Sequence, residues 1–245
     1  PAFWRAPTDN DIGAGFNKSL RMWRDIYQAT RPVIVEVRMI NETTYEVAFT
    51  KKLLGGDAIH HQSFIIYGDG SILVSNSFNA VYGKYPLLLR AGNDLTLNQS
   101  FQNISWYGRG PGENYWDRKT NTFIGDYKST VAEQYYPYAR PQESGNHTET
   151  RWVTFSNTDG HSITFQRADS LLNFSAIPYS LDDLDPGPEK KQYHSGELIP
   201  QDKIFLHIDL RQTGLQGIDS WGSWPLEKYR IPYRDYSYSY WILVK

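Results

Sequence analysis

Two periodicities divide this chain. Residues 1–32 show no alternation of apolar and polar positions: Gly13 and Gly15 interrupt the segment, and a short helical pattern runs from Ser19 to Gln28. From Pro32 onward the period is two, the signature of half-buried strands. Strands are predicted over Val33–Met39, Thr44–Phe49, Ile59–Tyr67, Ser71–Phe78, Leu87–Leu97, Gln102–Trp106, Arg151–Phe155, His161–Gln166, Leu172–Ile177, Lys203–Leu210 and Tyr236–Val244. Gly68-Asp69-Gly70 and Asn157-Thr158-Asp159-Gly160 supply turns between neighbours. In the Lys203 segment Ile204, Leu206, Ile208 and Leu210 share one face, and Phe205, His207 and Asp209 share the other. One face is therefore core, and the other is wet or covered by a second layer. So many short strands with so little helix make an all-β fold, a large two-sheet antiparallel sandwich, the economical architecture.

Two stretches escape the alternation. Tyr107 to Arg151 is long, polar and aromatic, and is expected to be an irregular functional loop, since it is too aromatic for disorder. Leu181 to Gly196 is acidic, then basic, with two prolines, and reads as an exposed connection.

Composition narrows the function. The 245 residues read as one domain, with 1–32 as a loop segment and 33–245 as the sandwich, and the opening without an initiator Met reads as a piece of a longer multidomain protein. Lys and Arg number 25 against 27 Asp and Glu, with neither sign in a block, so the basic face that nucleic acid requires is missing. With no cysteine there is no disulfide, thiol nucleophile or cysteine-bound zinc, which is compatible with either cytoplasm or periplasm. No apolar run has the length to cross a membrane. Aromatic residues make up 15%, many of them beside Gly, Pro, Asp and Asn. Sugar rings stack their C–H faces on such rings, so carbohydrate is the first ligand to consider, with a large aromatic core as the other reading.

Four segments carry a resemblance. They are Phe3-Trp4-Arg5-Ala6-Pro7-Thr8-Asp9-Asn10-Asp11-Ile12-Gly13; Trp106-Tyr107-Gly108-Arg109-Gly110-Pro111-Gly112-Glu113-Asn114-Tyr115 with Asp117-Arg118; Pro137-Tyr138 through Arg140-Pro141-Gln142-Glu143-Ser144-Gly145-Asn146 to Thr150-Arg151-Trp152; and Gly217-Ile218-Asp219-Ser220-Trp221, followed by a Tyr-rich strand. In order and spacing they resemble the motifs of large bacterial β-galactosidases of glycoside hydrolase family 2, in their C-terminal domain, the fifth or "small chain" region. Ser144 stands where that family more often has Asn, and Ile218 where it often has a second Asp.

The resemblance implies a galactose mutarotase-like supersandwich packed on a separate TIM-barrel catalytic domain, in the same polypeptide or in a large subunit. It implies a β-galactoside substrate, a homo-oligomeric parent, and no cofactor in this chain, any Mg or Na lying in the catalytic domain. The two carboxylates of a retaining glycosidase, about 5 Å apart, are implied to lie elsewhere, so no residue here is catalytic. Trp221 is implied to stack on substrate, with Asp219 and Ser220 holding its loop; the alternative is a core indole at a strand end. Gly13 to Trp23 matches a mobile loop, with Gly13 as hinge, Gly15 adding freedom, and Asp9, Asn10 and Asp11 anchoring it. Arg5, Glu113, Asn114, Asp117, Arg118, Arg140, Glu143 and Arg151 are expected to form a supporting polar network that fixes the long loops. A domain cut from such a barrel exposes an aromatic face, for which Trp4, Trp106, Trp116, Trp221 and Trp224 are candidates.

Other classes fit less well. An independent carbohydrate-binding module shares the aromatic signal. A mutarotase-like epimerase needs a His and Glu pair on the sugar, and the histidines here do not match its motifs. His60 and His61 are adjacent in a strand, so they face opposite sides and cannot chelate one metal.

Overall fold

A computed structural model describes residues 1–26, 34–189, 193–215, 219 and 222–245. Its strands are β1 (Ile34–Asn41), β2 (Thr44–Leu53), β3 (Ala58–Ile66), β4 (Ile72–Ala80), β5 (Arg90–Asn98), β6 (Asn103–Gly110), β7 (Phe123–Thr130), β8 (His147–Thr150), β9 (Trp152–Ser156), β10 (Ser162–Arg167), β11 (Leu172–Ile177), β12 (Lys203–Gln212) and β13 (Tyr236–Val244). Four short helices join them: α1 (Asp9–Gly13), α2 (Phe16–Ser19), α3 (Met22–Asp25) and α4 (Leu181–Leu184).

All strand pairs are antiparallel and fall into two sheets. A nine-stranded sheet has the order β1-β2-β3-β4-β13-β10-β9-β6-β7, and a four-stranded sheet has the order β5-β12-β11-β8. The expected all-β sandwich is thus observed. Between the sheets lies the main core, with Val74, Trp106, Val153, Phe155 and Phe165 from the large sheet meeting Phe174, Ile204, Leu206 and Ile208 from the small one. The alternation predicted for β12 holds as far as Ile208. A bulge between Asp209 and Arg211 then shifts its register against β5.

Three expectations are corrected. The segment from Tyr107 to Arg151 is not irregular throughout: β6 runs on to Gly110, and β7 and β8 lie within it. β7 is a polar, largely exposed edge strand, and β8 buries His147, Thr148 and Thr150 rather than apolar residues, so neither shows an apolar alternation. The stretch from Leu181 is not simply exposed, because α4 buries Leu184 and is followed by buried Asp185, which takes hydrogen bonds from Trp4, Arg21 and Arg24. Finally, Trp4 (3% exposed) and Trp106 (1%) are core residues, not part of an open face. Trp4 belongs to a second cluster in which Phe3, Phe16, Leu20 and Trp23 pack on Phe78, Leu88 and Ile231. The same cluster holds α2 and α3 against the edge of the sandwich.

Candidate functional site

The first motif enters through Arg5, which is fully buried. Its fork donates to Asp11, from Nε to Oδ2 at 3.0 Å and from Nη2 to Oδ1 at 2.8 Å. Burial opposes the guanidinium charge, but Asp11 outweighs it and the pKa is raised. The remaining Arg5 donors reach the carbonyls of Thr213 and Gly214, just beyond β12. Asp11 also completes a capping box with Thr8: the Asp11 amide donates to Thr8 Oγ1 at 3.1 Å, and the Thr8 amide donates to Asp11 Oδ2 at 3.0 Å. One carboxylate therefore starts α1 and ties it to the root of the fourth motif. Asn10 adds a bond from Nδ2 to the Leu215 carbonyl at 3.1 Å.

Asp9 faces the third motif. Arg140 Nη1 donates to Asp9 Oδ1 at 3.2 Å, Gln142 Nε2 to Oδ2 at 3.1 Å, and the Asp9 amide to Gln142 Oε1 at 3.1 Å. Glu143 turns inward, where Arg90 Nη2 (2.8 Å) and Gln212 Nε2 (2.9 Å) donate to it. Arg90 lies 3.5 Å from Asp209, a carboxyl that burial pushes up to about 7.

The second motif is clamped to the third. Asn114, which is buried, exchanges bonds with Asn146: the Asn114 amide donates to the Asn146 carbonyl at 2.7 Å, and Asn146 Nδ2 to the Asn114 carbonyl at 2.8 Å. Glu113 accepts from the Gly145 amide at 2.7 Å and from Arg118 and Tyr138. Burial, and then Glu113, pushes the Tyr138 phenol up to about 12, so it stays a donor. Asp117 accepts from the Leu215 amide at 3.1 Å, which joins the second motif to the chain just beyond β12.

These bonds bring the motifs around one cleft of about 170 Å³. Thr8, Asp9 and Asn10 line it from the first motif, Arg118 from the second, Tyr138, Gln142 and Glu143 from the third, and Leu215 from the threshold of the fourth. Its walls offer carboxylate and amide acceptors beside guanidinium, phenol and amide donors, the set that hydroxyl groups require. It is smaller than a pocket that encloses a drug-sized ligand, about 300 Å³ and upward, and so suits part of a site.

Not every expected residue joins this cluster. Arg151 stands apart, donating to the Glu149 carbonyl at 2.6 Å and lying over the Tyr107 ring at 5.3 Å. Gly13 ends α1 inside the helix, whereas Gly15 takes the left-handed φ of 74°. Trp221 and Ser220 lie outside the described residues. Asp219 is exposed and accepts from Ser223 Oγ at 2.8 Å, closing a turn. At Gly222 a Cβ would come within 2.5 Å of the Gly13 carbonyl, and Trp224 meets Phe16 edge-on at 4.9 Å, so the flank of the fourth motif rests on the first. Trp116 is partly buried, held between Tyr229 and Arg211, and Trp224 is exposed with Arg230 over its ring. His60 is buried and His61 exposed, on opposite faces of β3 as expected. Among the described residues no group of three His, Cys, Asp or Glu could hold a metal.

Arg90, Gln212 and Asp209, which support Glu143, were not among the expected site residues. Only Asp209 has a sequence signal, its place on the polar face of β12; Arg90 opens β5, and Gln212 falls by strict alternation on the apolar face.

The β-galactosidase of Priestia megaterium is 34% identical over 224 residues, covering 90% of this chain and 21% of the relative. That of Staphylococcus xylosus is 31% identical over 245 residues, covering 97% of this chain and 23% of the relative. The chain thus spans less than a quarter of the relatives it matches. Among solved structures, the α-galactosidase AgaA of Geobacillus stearothermophilus aligns over 88% of this chain and 28% of its own, at 8% identity and a TM-score of 0.48. A family model described as the β-galactosidase small chain matches residues 1–242, a span that takes in all four motifs, and the chain belongs to that family.

Proposed function

We propose that this chain completes the sugar site of a β-galactosidase of glycoside hydrolase family 2, acting by retention, while a TIM-barrel domain packed against it breaks the bond. One observation carries the reading: segments far apart in sequence, each bearing a β-galactosidase-like motif, meet around a cleft lined by hydroxyl-binding groups. Asp9 and Glu143, the carboxylates of that cleft, are both tied to arginines, which suits positioning rather than nucleophilic attack. Trp221, six residues beyond Leu215 in the sequence, offers a flat apolar face to the leaving-group sugar. The segment of Gly13 and Gly15, where α1 passes into α2, gates the same mouth. Any Mg or Na of the enzyme belongs to the barrel, and the working enzyme is a homo-oligomer.

Kinetics of the full enzyme test this reading. Trp221→Ala should lower kcat/KM for lactose about two- to tenfold, as ring stacking is worth about 0.5–1.5 kcal/mol. Residues 1–245 alone should not turn over a chromogenic galactoside. Robust hydrolysis by the chain alone, or an unchanged kcat/KM for the tryptophan variant, would overturn it.

A further inference from the structure

Strand pairing identifies the face of the nine-stranded sheet that points away from the core. Trp106, Val153, Phe165 and Ile242 lie opposite one another on β6, β9, β10 and β13, and all four sit in or against the main core. Residues directly opposite share a face, and side chains alternate along each strand, so the neighbouring row points outward. That row runs Tyr107, Trp152, Gln166, Trp241 and Leu73 across β6, β9, β10, β13 and β4. Tyr107 and Gln166 are exposed, and Trp152, Trp241 and Leu73 are half-buried.

Among the outward residues of β4, β13, β10 and β9 there is no Asp, Glu, Lys or Arg, in a chain whose charged residues make up 21%. Charged residues are ordinarily the ones turned to water, so their exclusion from four adjacent strands points to a partner that is itself uncharged. Hydroxyls flank the tryptophan row instead: Thr154 and Thr164 meet at 2.7 Å on one side, and Ser75 and Ser239 at 3.2 Å on the other. Trp152 and Trp241 stand two strands apart, about 10 Å, with the Gln166 amide between them. Tyr67 adds a ring beside Trp241 at 5.5 Å. Arg151, which stands outside the polar cluster around the cleft, lies over Tyr107 at 5.3 Å and props that ring. Flat rings separated by an amide and by hydroxyls match alternate units of an extended sugar chain, whose C–H faces stack on aromatics while its hydroxyls take hydrogen bonds.

This face is remote from the cleft. Glu143 is held there by Arg90 and Gln212 of the four-stranded sheet, whereas the tryptophan row lies on the far side of the nine-stranded sheet, with the main core between them. A domain docked over the cleft therefore leaves the row open. We propose that the outer face of the nine-stranded sheet is a further carbohydrate site, on which an uncharged, extended polysaccharide lies across β9, β10 and β13 with two of its rings on Trp152 and Trp241. Bound there, the protein is tethered to a polymer, which raises the effective concentration of sugar chains at the cleft.

Affinity electrophoresis of the full enzyme tests this, in native gels that contain soluble β-1,4-galactan or xyloglucan, with the cleft saturated by a non-hydrolysable thiogalactoside. At least one of these neutral polymers should retard the unaltered enzyme. Trp152→Ala with Trp241→Ala should weaken that binding at least about tenfold and leave turnover of a chromogenic galactoside within about twofold of normal. Polygalacturonate, a chain that carries a carboxylate on every ring, should not retard the enzyme. Retardation by neither neutral polymer, equal retardation of the variant, or equal retardation by polygalacturonate would overturn the proposal. If the double variant misfolds, hydroxyl-radical footprinting of the unaltered enzyme decides, since the neutral polymer should protect the peptides that hold Trp152 and Trp241. Unchanged labelling refutes the platform, and so does labelling already suppressed without glycan, which assigns the face to another part of the enzyme. Binding is read with the cleft blocked, so failure here leaves the sugar-site reading untouched.

Discussion

Arg5 and Asp11 face each other six residues apart with neither side chain in contact with water. Removing one member of such a pair leaves the other charge buried and unpaired, so Arg5→Met should cost about 3–5 kcal/mol in urea denaturation. The double variant Arg5→Met with Asp11→Leu should recover part of that loss. His147 gives a pH signature. Its Nδ1 donates to the Arg109 carbonyl at 3.1 Å and its ring stacks on Phe174, and burial pushes the imidazole down to about 4. A group whose folded pKa is depressed contributes stability that is complete above its unfolded value, near 6.5, and lost as pH falls toward 4. The unfolding free energy should therefore drop between pH 6.5 and 4 by about 3 kcal/mol from this residue, and the drop should shrink in His147→Gln. Arg90, Asp209 and Gln212 show where reading by residue fails. Strict alternation puts Asp209 and Gln212 on opposite faces of β12, but the bulge brings both to Arg90 and Glu143. Nothing local in those residues announces a bulge.

Helices of four or five residues, such as α1, α2 and α3, are far below the length of about 12–15 residues at which isolated helices become marginal in water. They persist through caps and through Phe16, Leu20 and Trp23 buried in the second cluster. That is why a helix predicted over Ser19–Gln28 resolves, within the described residues, into two short turns. Gly15 and Gly145 both have left-handed φ, at 74° and 75°, but they differ in surroundings. A Cβ on Gly15 meets nothing within 4 Å, whereas one on Gly145 would lie 2.5 Å from the Gln134 carbonyl. Gly15→Ala should cost about 1 kcal/mol, the left-handed penalty alone, and Gly145→Ala several times more, as thermal denaturation would show. Strands with apolar alternation, such as β11 and β13, were legible to the residue. β7 and β8 were not, because the polar residues buried in β8 are satisfied by partners distant in sequence, such as Asn114 and Gln134.

For the molecule as a whole, the apolar side chains exposed on edge strand β1, Val37 at 70% and Met39 at 62%, predict behaviour. Expressed alone, residues 1–245 should self-associate with rising concentration in sedimentation experiments, since an apolar edge strand is a template for pairing. Val37→Lys with Met39→Lys should suppress this without unfolding the chain, as both side chains are largely exposed. An all-β class, most strand positions, the aromatic-rich composition and the motifs shared with the β-galactosidase small-chain family were all determined by the sequence itself. They depend on side-chain period and on local residue type, which are written in order along the chain. Which residues surround the cleft, that Trp4 and Trp106 are core, that Arg151 stands apart and that one sheet outgrows the other were decided only by the tertiary structure. Each of these depends on pairing, register and burial between segments distant in sequence, and the free energy of such contacts belongs to the assembled chain rather than to any stretch of it.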